Sequence, residues 1–182
     1  MFPSKMRVLA EVAIFSAIAL VFDKFPLFTM PQGGSVSLVM LPILLVALRH
    51  GLKTGLLIGG IVGTIQLFYG GYFLNIFQVF LDYALSYAGI GLAGLVAPLL
   101  TKHKDLRQAA LIISLSGLLG GSIRLLATFL SGIIFYADYA PADTPVWLYS
   151  FTYNISYILP STIIACVLLI LLYKARPNFY KK

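Results

Sequence analysis

The sequence predicts an all-α integral membrane protein with six transmembrane helices, and two observations support this prediction. Hydrophobic residues make up 60% of the chain and charged residues only 10%, which leaves too little polar surface to coat a soluble globule. The 182 residues also divide into six apolar runs, and a membrane-spanning helix needs about 20 residues. Since no long polar block is left over, we expect a single transmembrane domain that covers residues 1–182.

The predicted helices follow the apolar runs, which Gly, Pro and charged residues separate. The first run ends in Asp23-Lys24-Phe25-Pro26 without a small-residue cleavage site, which favours a membrane helix over a cleaved signal peptide. The six expected helices cover approximately residues 6–25, 36–50, 53–70, 73–100, 106–136 and 146–173.

Small residues and one proline characterise the first three runs. Ala13 and Ala17 form a small-residue stripe on the first helix, which is typical of ordinary helix packing. Pro42 lies near the middle of the second run and predicts a kink or break there. The third run has glycines at four-residue intervals, which favour close packing within the chain over a site for a second protein. These glycines are Gly51, Gly55, Gly59 and Gly63.

The net charge of +7 comes from short basic clusters at helix ends. It does not indicate nucleic-acid binding, because no basic face is interleaved with aromatic residues. The clusters fall at every second junction between the runs, so the positive-inside rule predicts that both termini are cytoplasmic. They consist of Lys5 and Arg7; Arg49 and Lys53; Lys102, Lys104 and Arg107; and Lys174, Arg176, Lys181 and Lys182.

The fourth run contains one carboxylate, Asp82, in an otherwise apolar stretch from Phe73 to Tyr87. An Asp at the centre of a membrane helix costs roughly 2.5–3.5 kcal/mol, so such residues face a partner, a cavity or a ligand. Three interpretations of Asp82 stay open on this basis: a structural ion pair, a proton relay and a ligand contact.

The fifth run places Arg124, Thr128 and Gly132 four residues apart on one helix face, with Tyr136 beyond them. Arg124 can pair with Asp82 or with free backbone carbonyls. A salt bridge at the rim of a pocket would still leave carboxylate lone pairs for a ligand donor. Structural pairing and ligand binding are therefore compatible.

Aromatic residues gather near the expected outer ends of the helices. An interfacial belt accounts for many such residues. Tyrosines around a carboxylate also suit a flat, positively charged organic molecule, because aromatic faces attract cations and stack on heterocycles. Asn154 adds a donor and an acceptor in the sixth run. The aromatic residues are Tyr72, Tyr136, Tyr139, Trp147 and Tyr149.

Four blocks of sequence carry a family resemblance. They are GGSVSLVMLPI at residues 33–43 with ALRHG at 47–51; QVFLDY at 78–83; SGIIFY at 131–136 with YAP at 139–141; and YSFTYNISYILP at 149–160. In this order and at these helix positions, the chain resembles the thiamine-specific S-components of energy-coupling factor transporters. The resemblance runs nearly from end to end.

The resemblance implies a substrate-binding subunit in the bacterial plasma membrane that captures thiamine, or a close thiamine-related compound, from outside. It implies a transmembrane coupling protein and two ATPase subunits as partners, with Ala13 and Ala17 at the contact with this module. We expect no enzymatic activity in this chain, which lacks a Gly-rich Walker loop. We expect no cofactor or metal, because Cys166 is the single cysteine and His50 and His103 lie among basic residues at helix ends.

The resemblance also implies a ligand pocket, with departures from the family pattern. Asp82 stands where the family usually has Glu, Thr128 where it has His, and Tyr136 where it has Trp or another aromatic residue. Gly33 and Gly34 stand where some members have an aromatic residue, and they predict a mobile loop. These departures bear on whether thiamine, a precursor or an analogue is the ligand. The pocket positions are Tyr72, Asp82, Tyr83, Arg124, Thr128, Gly132, Tyr136, Tyr149 and Asn154.

A proton-coupled secondary transporter of a small cationic heterocycle, acting without ATPase partners, is the alternative function. It would use Asp82 as a titrating acid. Arg124, if adjacent, argues against it, because a nearby cation favours the ionised carboxylate.

Overall fold

Apolar segments of this chain form helices that pack side by side, as the composition predicts. The structure is a computed structural model that describes residues 4–69, 71–102 and 105–180. Lys104, Lys181, Lys182 and His103 lie outside the described residues. Six helices are found within these ranges: α1 (Ser4–Lys24), α2 (Met40–His50), α3 (Leu52–Phe68), α4 (residues 76–102), α5 (Leu106–Phe135) and α6 (Val146–Ala175).

The helices differ in length and charge. Among the described residues, three helical segments are long and apolar enough to cross a membrane: Ile76–Leu100 with 25 residues, and Leu106–Phe135 and Val146–Ala175 with 30 residues each. α2 and α3 are apolar but shorter, with 11 and 17 residues. α1 has 21 residues, and it carries Lys5, Arg7 and Glu11 in its first half and Asp23 and Lys24 at its C-terminal end.

The second apolar run differs from its prediction. Residues 36–50 were expected to form one helix, but α2 begins only at Met40, after an antiparallel β-hairpin. The hairpin pairs β1 (Phe28–Thr29) with β2 (Ser35–Val36). Pro42 therefore lies in the first turn of α2, where its missing N–H removes no helical hydrogen bond. The expected mid-helix kink or break does not occur, because the helix starts so close to the proline.

The glycine stripe of α3 packs against α4, which confirms the favoured interpretation of internal packing. A Cβ atom at Gly59 or Gly63 would collide with the backbone carbonyl of Tyr87 or Tyr83, respectively. A Cβ atom at Gly55 would lie 2.5 Å from the carbonyl oxygen of Gly91. Because no side chains separate the two backbones, α3 lies close along α4.

α4 is not a regular helix. An α-helical turn at Ile76–Val79 leads into a π-helical segment at Phe80–Leu85, and a 3-10 segment follows at Gly91–Val96. π-helical turns are frequent at functional sites. Asp82 lies in the π-helical segment.

The core lies around α2, where every residue from Pro42 to Leu48 is buried. At the end of α2, Glu11 of α1 forms a salt bridge with Arg49 at 3.1 Å and a hydrogen bond with His50 Nε2 at 2.6 Å. At this end of the bundle the side chains are closely packed, and the Glu11 and Arg49 charges form an ion pair. The opposite end of the bundle contains a cavity.

Candidate functional site

A cavity of about 660 Å³ opens at the end of the bundle that is distant from Glu11. The C-terminal ends of α1, α3 and α5, the first part of α4, the first part of α6 and the β-hairpin surround it. This volume falls within the range of about 300–1,000 Å³ that is typical of small-molecule pockets.

All nine pocket positions predicted from the sequence line this cavity. The further lining residues include the hairpin loop and several polar residues that were not predicted. The predicted ones are Tyr72, Asp82, Tyr83, Arg124, Thr128, Gly132, Tyr136, Tyr149 and Asn154; those not predicted include Asp23, Gln66, Ser86, Tyr87, Ser150, Tyr153 and Tyr157.

Two neutral side chains orient Asp82. Gln78 Nε2 donates to Asp82 Oδ2 at 2.7 Å, and the Tyr136 hydroxyl donates to the same oxygen at 3.2 Å. Gln78 is fully buried, and its Oε1 accepts from the backbone N–H of Leu74 at 3.1 Å. Gln78 therefore holds the carboxylate from one side through a fixed amide.

Arg124 does not pair with Asp82, although the sequence allowed that ion pair. The salt bridges within the described ranges join Glu11 to Arg49 and His50 only. Arg124 is buried, its guanidinium carbon lies 4.8 Å from the centre of the Tyr87 ring, and Nη2 donates to the Tyr87 hydroxyl at 3.5 Å. The argument against proton coupling that relied on an adjacent Arg124 therefore loses its basis.

Asp23 of α1 is the carboxylate on the Arg124 side of the cavity. Its Oδ2 accepts from Gln66 Nε2 at 2.6 Å, and its Oδ1 accepts from the Tyr87 hydroxyl at 3.5 Å. The Tyr87 hydroxyl thus lies between Asp23 and Arg124, and the two charges interact electrostatically. The cavity contains two carboxylates with different surroundings.

Asn154, Thr128 and Gly132 form the contact between α5 and α6 at the cavity wall. Asn154 Nδ2 donates to the Ser150 carbonyl at 2.8 Å, and its Oδ1 accepts from the Tyr157 hydroxyl at 2.7 Å. The Thr128 hydroxyl donates to the Arg124 carbonyl at 3.1 Å. A Cβ atom at Gly132 would collide with the Ser150 hydroxyl, so this glycine admits the neighbouring helix rather than leaving a gap for a ligand alone.

Tyrosine is the dominant residue of the cavity. Nine tyrosines line it, and the chain has 11, the other two being Tyr173 and Tyr180. On α6, the rings of Tyr149 and Tyr153 lie 5.9 Å apart at 30°, and those of Tyr153 and Tyr157 lie 5.8 Å apart at 70°. Since these residues recur every four positions, they form one aromatic face toward the cavity. Such a face can stack on a flat heterocycle or attract a cation.

The β-hairpin covers the cavity next to this aromatic face. The backbone N–H of Gly34 donates to the Tyr153 hydroxyl at 3.0 Å, and the N–H of Ser37 donates to Ser161 Oγ at 3.2 Å. A Cβ atom at Gly34 would lie 2.7 Å from the Tyr157 ring. Glycine at this position therefore allows the hairpin to lie directly on the tyrosines, where a larger residue would hold it away.

Ala13 and Ala17 lie elsewhere, on the outer face of α1. Both are exposed, whereas Val12, Ser16 and Ala19 of the same helix are buried. The predicted contact positions therefore form an accessible small-residue surface. Trp147 is also exposed and is not among the cavity-lining residues.

Sequence spacing marks several residues that line the cavity or contact Asp82. Gln78 precedes Asp82 by four residues, the spacing at which helical side chains meet, and Tyr149, Tyr153 and Tyr157 repeat with the same spacing. Asp23 lies at the end of the first apolar run, where a charge indicates a helix boundary rather than a cavity residue. Its approach to Arg124 depends on the packing of α1 against α2 and α3, which no local pattern indicates. Within the described residues, no group of three His, Cys, Asp or Glu side chains is placed to hold a metal ion.

Comparison with known proteins places the chain in one family. The family model described as thiamine transporter protein matches residues 9–181. The thiamine transporter ThiT of Bacillus subtilis is 38% identical over 179 residues, which are 95% of this chain and 93% of that protein. The thiamine transporter ThiT of Lacticaseibacillus paracasei is 28% identical over 183 residues, which are 97% and 91% of the two chains.

A solved structure, that of ThiT from Listeria monocytogenes, shares the fold with a TM-score of 0.91. The alignment covers 99% of this chain and 100% of that chain, at 24% sequence identity. The six-helix S-component fold expected from the sequence is therefore confirmed. The apolar helices and the bacterial relatives also establish a multi-pass protein of the bacterial plasma membrane. The chain belongs to the thiamine transporter protein family.

Proposed function

We propose that the chain is the substrate-binding subunit of a vitamin uptake system and binds thiamine in the tyrosine-lined cavity. The observation that supports this most directly is the Asp82 carboxylate, which is held by neutral donors inside a cavity lined by tyrosines. Thiamine is a flat organic cation with an aminopyrimidine ring that donates hydrogen bonds. The family and its two curated relatives carry the name of the same vitamin.

Asp82 is proposed to accept from the aminopyrimidine, while Tyr72, Tyr136 and Tyr149 contact the rings. A carboxylate oriented by Gln78 and Tyr136 needs no rearrangement when the donor arrives, so little of the binding energy is spent on ordering. A ligand without that donor would leave the desolvated carboxylate short of a partner, which costs several kcal/mol. Asp82 then confers affinity and selectivity together.

Isothermal titration calorimetry on the detergent-purified protein tests this proposal. We expect tight binding of thiamine and much weaker binding of its isolated aminopyrimidine, which can reach Asp82 but leaves most of the aromatic cavity empty. Binding of the pyrimidine precursor as tight as that of thiamine would assign the cavity to a precursor instead. Undetectable binding of both compounds would overturn the proposal.

The coupling to ATP hydrolysis is part of the same proposal. We propose that the cavity opens to the outside, that both termini are cytoplasmic, and that a transmembrane coupling protein with two ATPase subunits supplies the energy. The exposed pair Ala13 and Ala17 supports a close helix contact with that module, because small residues let backbones approach within a membrane.

Proteoliposome uptake assays separate this mechanism from proton coupling. We expect labelled thiamine to accumulate only when the chain is reconstituted with an energy-coupling module and ATP. Replacing Ala13 and Ala17 by Leu should abolish uptake while thiamine binding to the isolated chain is preserved. Uptake by the chain alone under a pH gradient would instead establish a secondary transporter.

A further inference from the structure

The two carboxylates of the cavity differ in the charges around them. Arg124 and Lys24, the cationic side chains that line the cavity, both interact with Asp23. The groups that hydrogen-bond Asp82 are the neutral Gln78 amide and the Tyr136 hydroxyl. Arg124 is buried, whereas Lys24 is exposed to solvent, so Arg124 is the cation whose field matters most inside the cavity.

Asp23 is held toward Arg124 by fixed contacts. Gln66 Nε2 binds one carboxylate oxygen at 2.6 Å, and the Tyr87 hydroxyl, which also accepts from Arg124, contacts the other at 3.5 Å. Tyr87 is buried, and the guanidinium carbon of Arg124 lies 4.8 Å from the centre of its ring. The arrangement keeps a negative charge near a buried cation that forms no direct salt bridge among the described residues.

We propose that Asp23 is the counter-ion of Arg124 and a determinant of selectivity for cationic ligands. By neutralising the guanidinium, it leaves the Asp82 carboxylate as the uncompensated charge of the cavity. Without Asp23, the positive charge of Arg124 would cancel that of Asp82 and would repel a ligand cation. Asp23 acts here through the field of the cavity, and no contact between Asp23 and the ligand is needed. This inference depends on the proposed binding of thiamine.

The test compares thiamine with its uncharged thiophene analogue, in which the ring cation is absent but the shape is retained. The ratio of the two dissociation constants, measured by calorimetry, reports the preference for the charged ligand. Damage to the cavity that weakens both ligands equally leaves this ratio unchanged. We expect Asp23→Asn to reduce the preference for the cation by about tenfold. Asp138→Asn, which removes an exposed acid outside the cavity lining, should leave the ratio unchanged.

Arg124→Gln gives the opposite expectation and does not depend on whether Asp23→Asn folds. Removing the cation should increase the preference for thiamine over the analogue, and the double variant Asp23→Asn/Arg124→Gln should restore a ratio close to that of the wild type. Ratios that stay unchanged in Arg124→Gln or Asp23→Asn would overturn the inference. Failure of the wild-type protein to bind thiamine would overturn the proposed function instead, so the two failures are distinguishable.

Discussion

Two partly buried carboxylates at opposite ends of the bundle are satisfied in different ways. Glu11 is paired with the cation of Arg49 at 3.1 Å and hydrogen-bonded to His50 Nε2 at 2.6 Å, in a packed region. Asp82 is held by the neutral Gln78 and Tyr136 at the edge of a cavity of about 660 Å³. Glu11, whose charge is already compensated, thus stabilises the fold, whereas Asp82, which is oriented but not neutralised, is available to a ligand.

The largest effect is expected from replacing the acid of the cavity. Asp82→Asn should weaken thiamine binding by about 100-fold, since it removes the charge and half of the accepting capacity while the hydrogen bond from Gln78 can persist. Calorimetry measures the affinity, and a thermal unfolding midpoint near that of the wild type would show that the fold is intact. Unchanged affinity in a folded variant would show that Asp82 is a structural residue like Glu11.

The reverse pattern is expected at the other end of the bundle. Glu11→Gln should lower the free energy of unfolding by about 2 kcal/mol, because Arg49 loses its carboxylate partner in a partly buried site. Thermal unfolding in detergent measures this loss. Thiamine affinity should stay within about twofold of the wild type. A large loss of affinity without loss of stability would contradict the assignment of Glu11 to the fold.

Gln78 tests whether a neutral side chain is enough to position Asp82 for a ligand. Gln78→Leu keeps the volume but removes the donor to Asp82 and the acceptor for the Leu74 N–H. We expect about tenfold weaker thiamine binding. Gln78→Glu, which keeps the acceptor but places a second carboxylate next to Asp82, should be at least as damaging. Equal affinities for Gln78→Leu and the wild type would show that Asp82 needs no orientation.

The smallest effect is expected at the hairpin. Tyr153→Phe keeps the aromatic face but removes the hydroxyl that accepts from Gly34, a bond of 3.0 Å. Loss of one hydrogen bond of about 1 kcal/mol should increase the dissociation rate of thiamine several-fold. Stopped-flow competition measures that rate. Ser156→Ala is a suitable control, because Ser156 is exposed on α6 and its hydroxyl donates to the Tyr153 carbonyl of the same helix.

The sequence predicted the cavity residues well where one helix carries them. Arg124, Thr128 and Gly132 share a face by spacing alone, and the glycine stripe of α3 indicated internal packing. The partner of Arg124 was not predictable, since its proximity to Asp23 rather than Asp82 depends on how α1 packs against α2 and α3. The β-hairpin was not predicted, because each of its strands has only two residues and Val36 also begins the apolar run that continues into α2.

A structure of the thiamine-bound protein would test the central claim most directly, through the distance between the amino nitrogen of the pyrimidine and the Asp82 carboxylate. We predict a hydrogen bond of about 3 Å, with the thiazolium ring against the tyrosines of the cavity. Thiamine bound with its amino group at Asp23, or outside the cavity, would contradict the account.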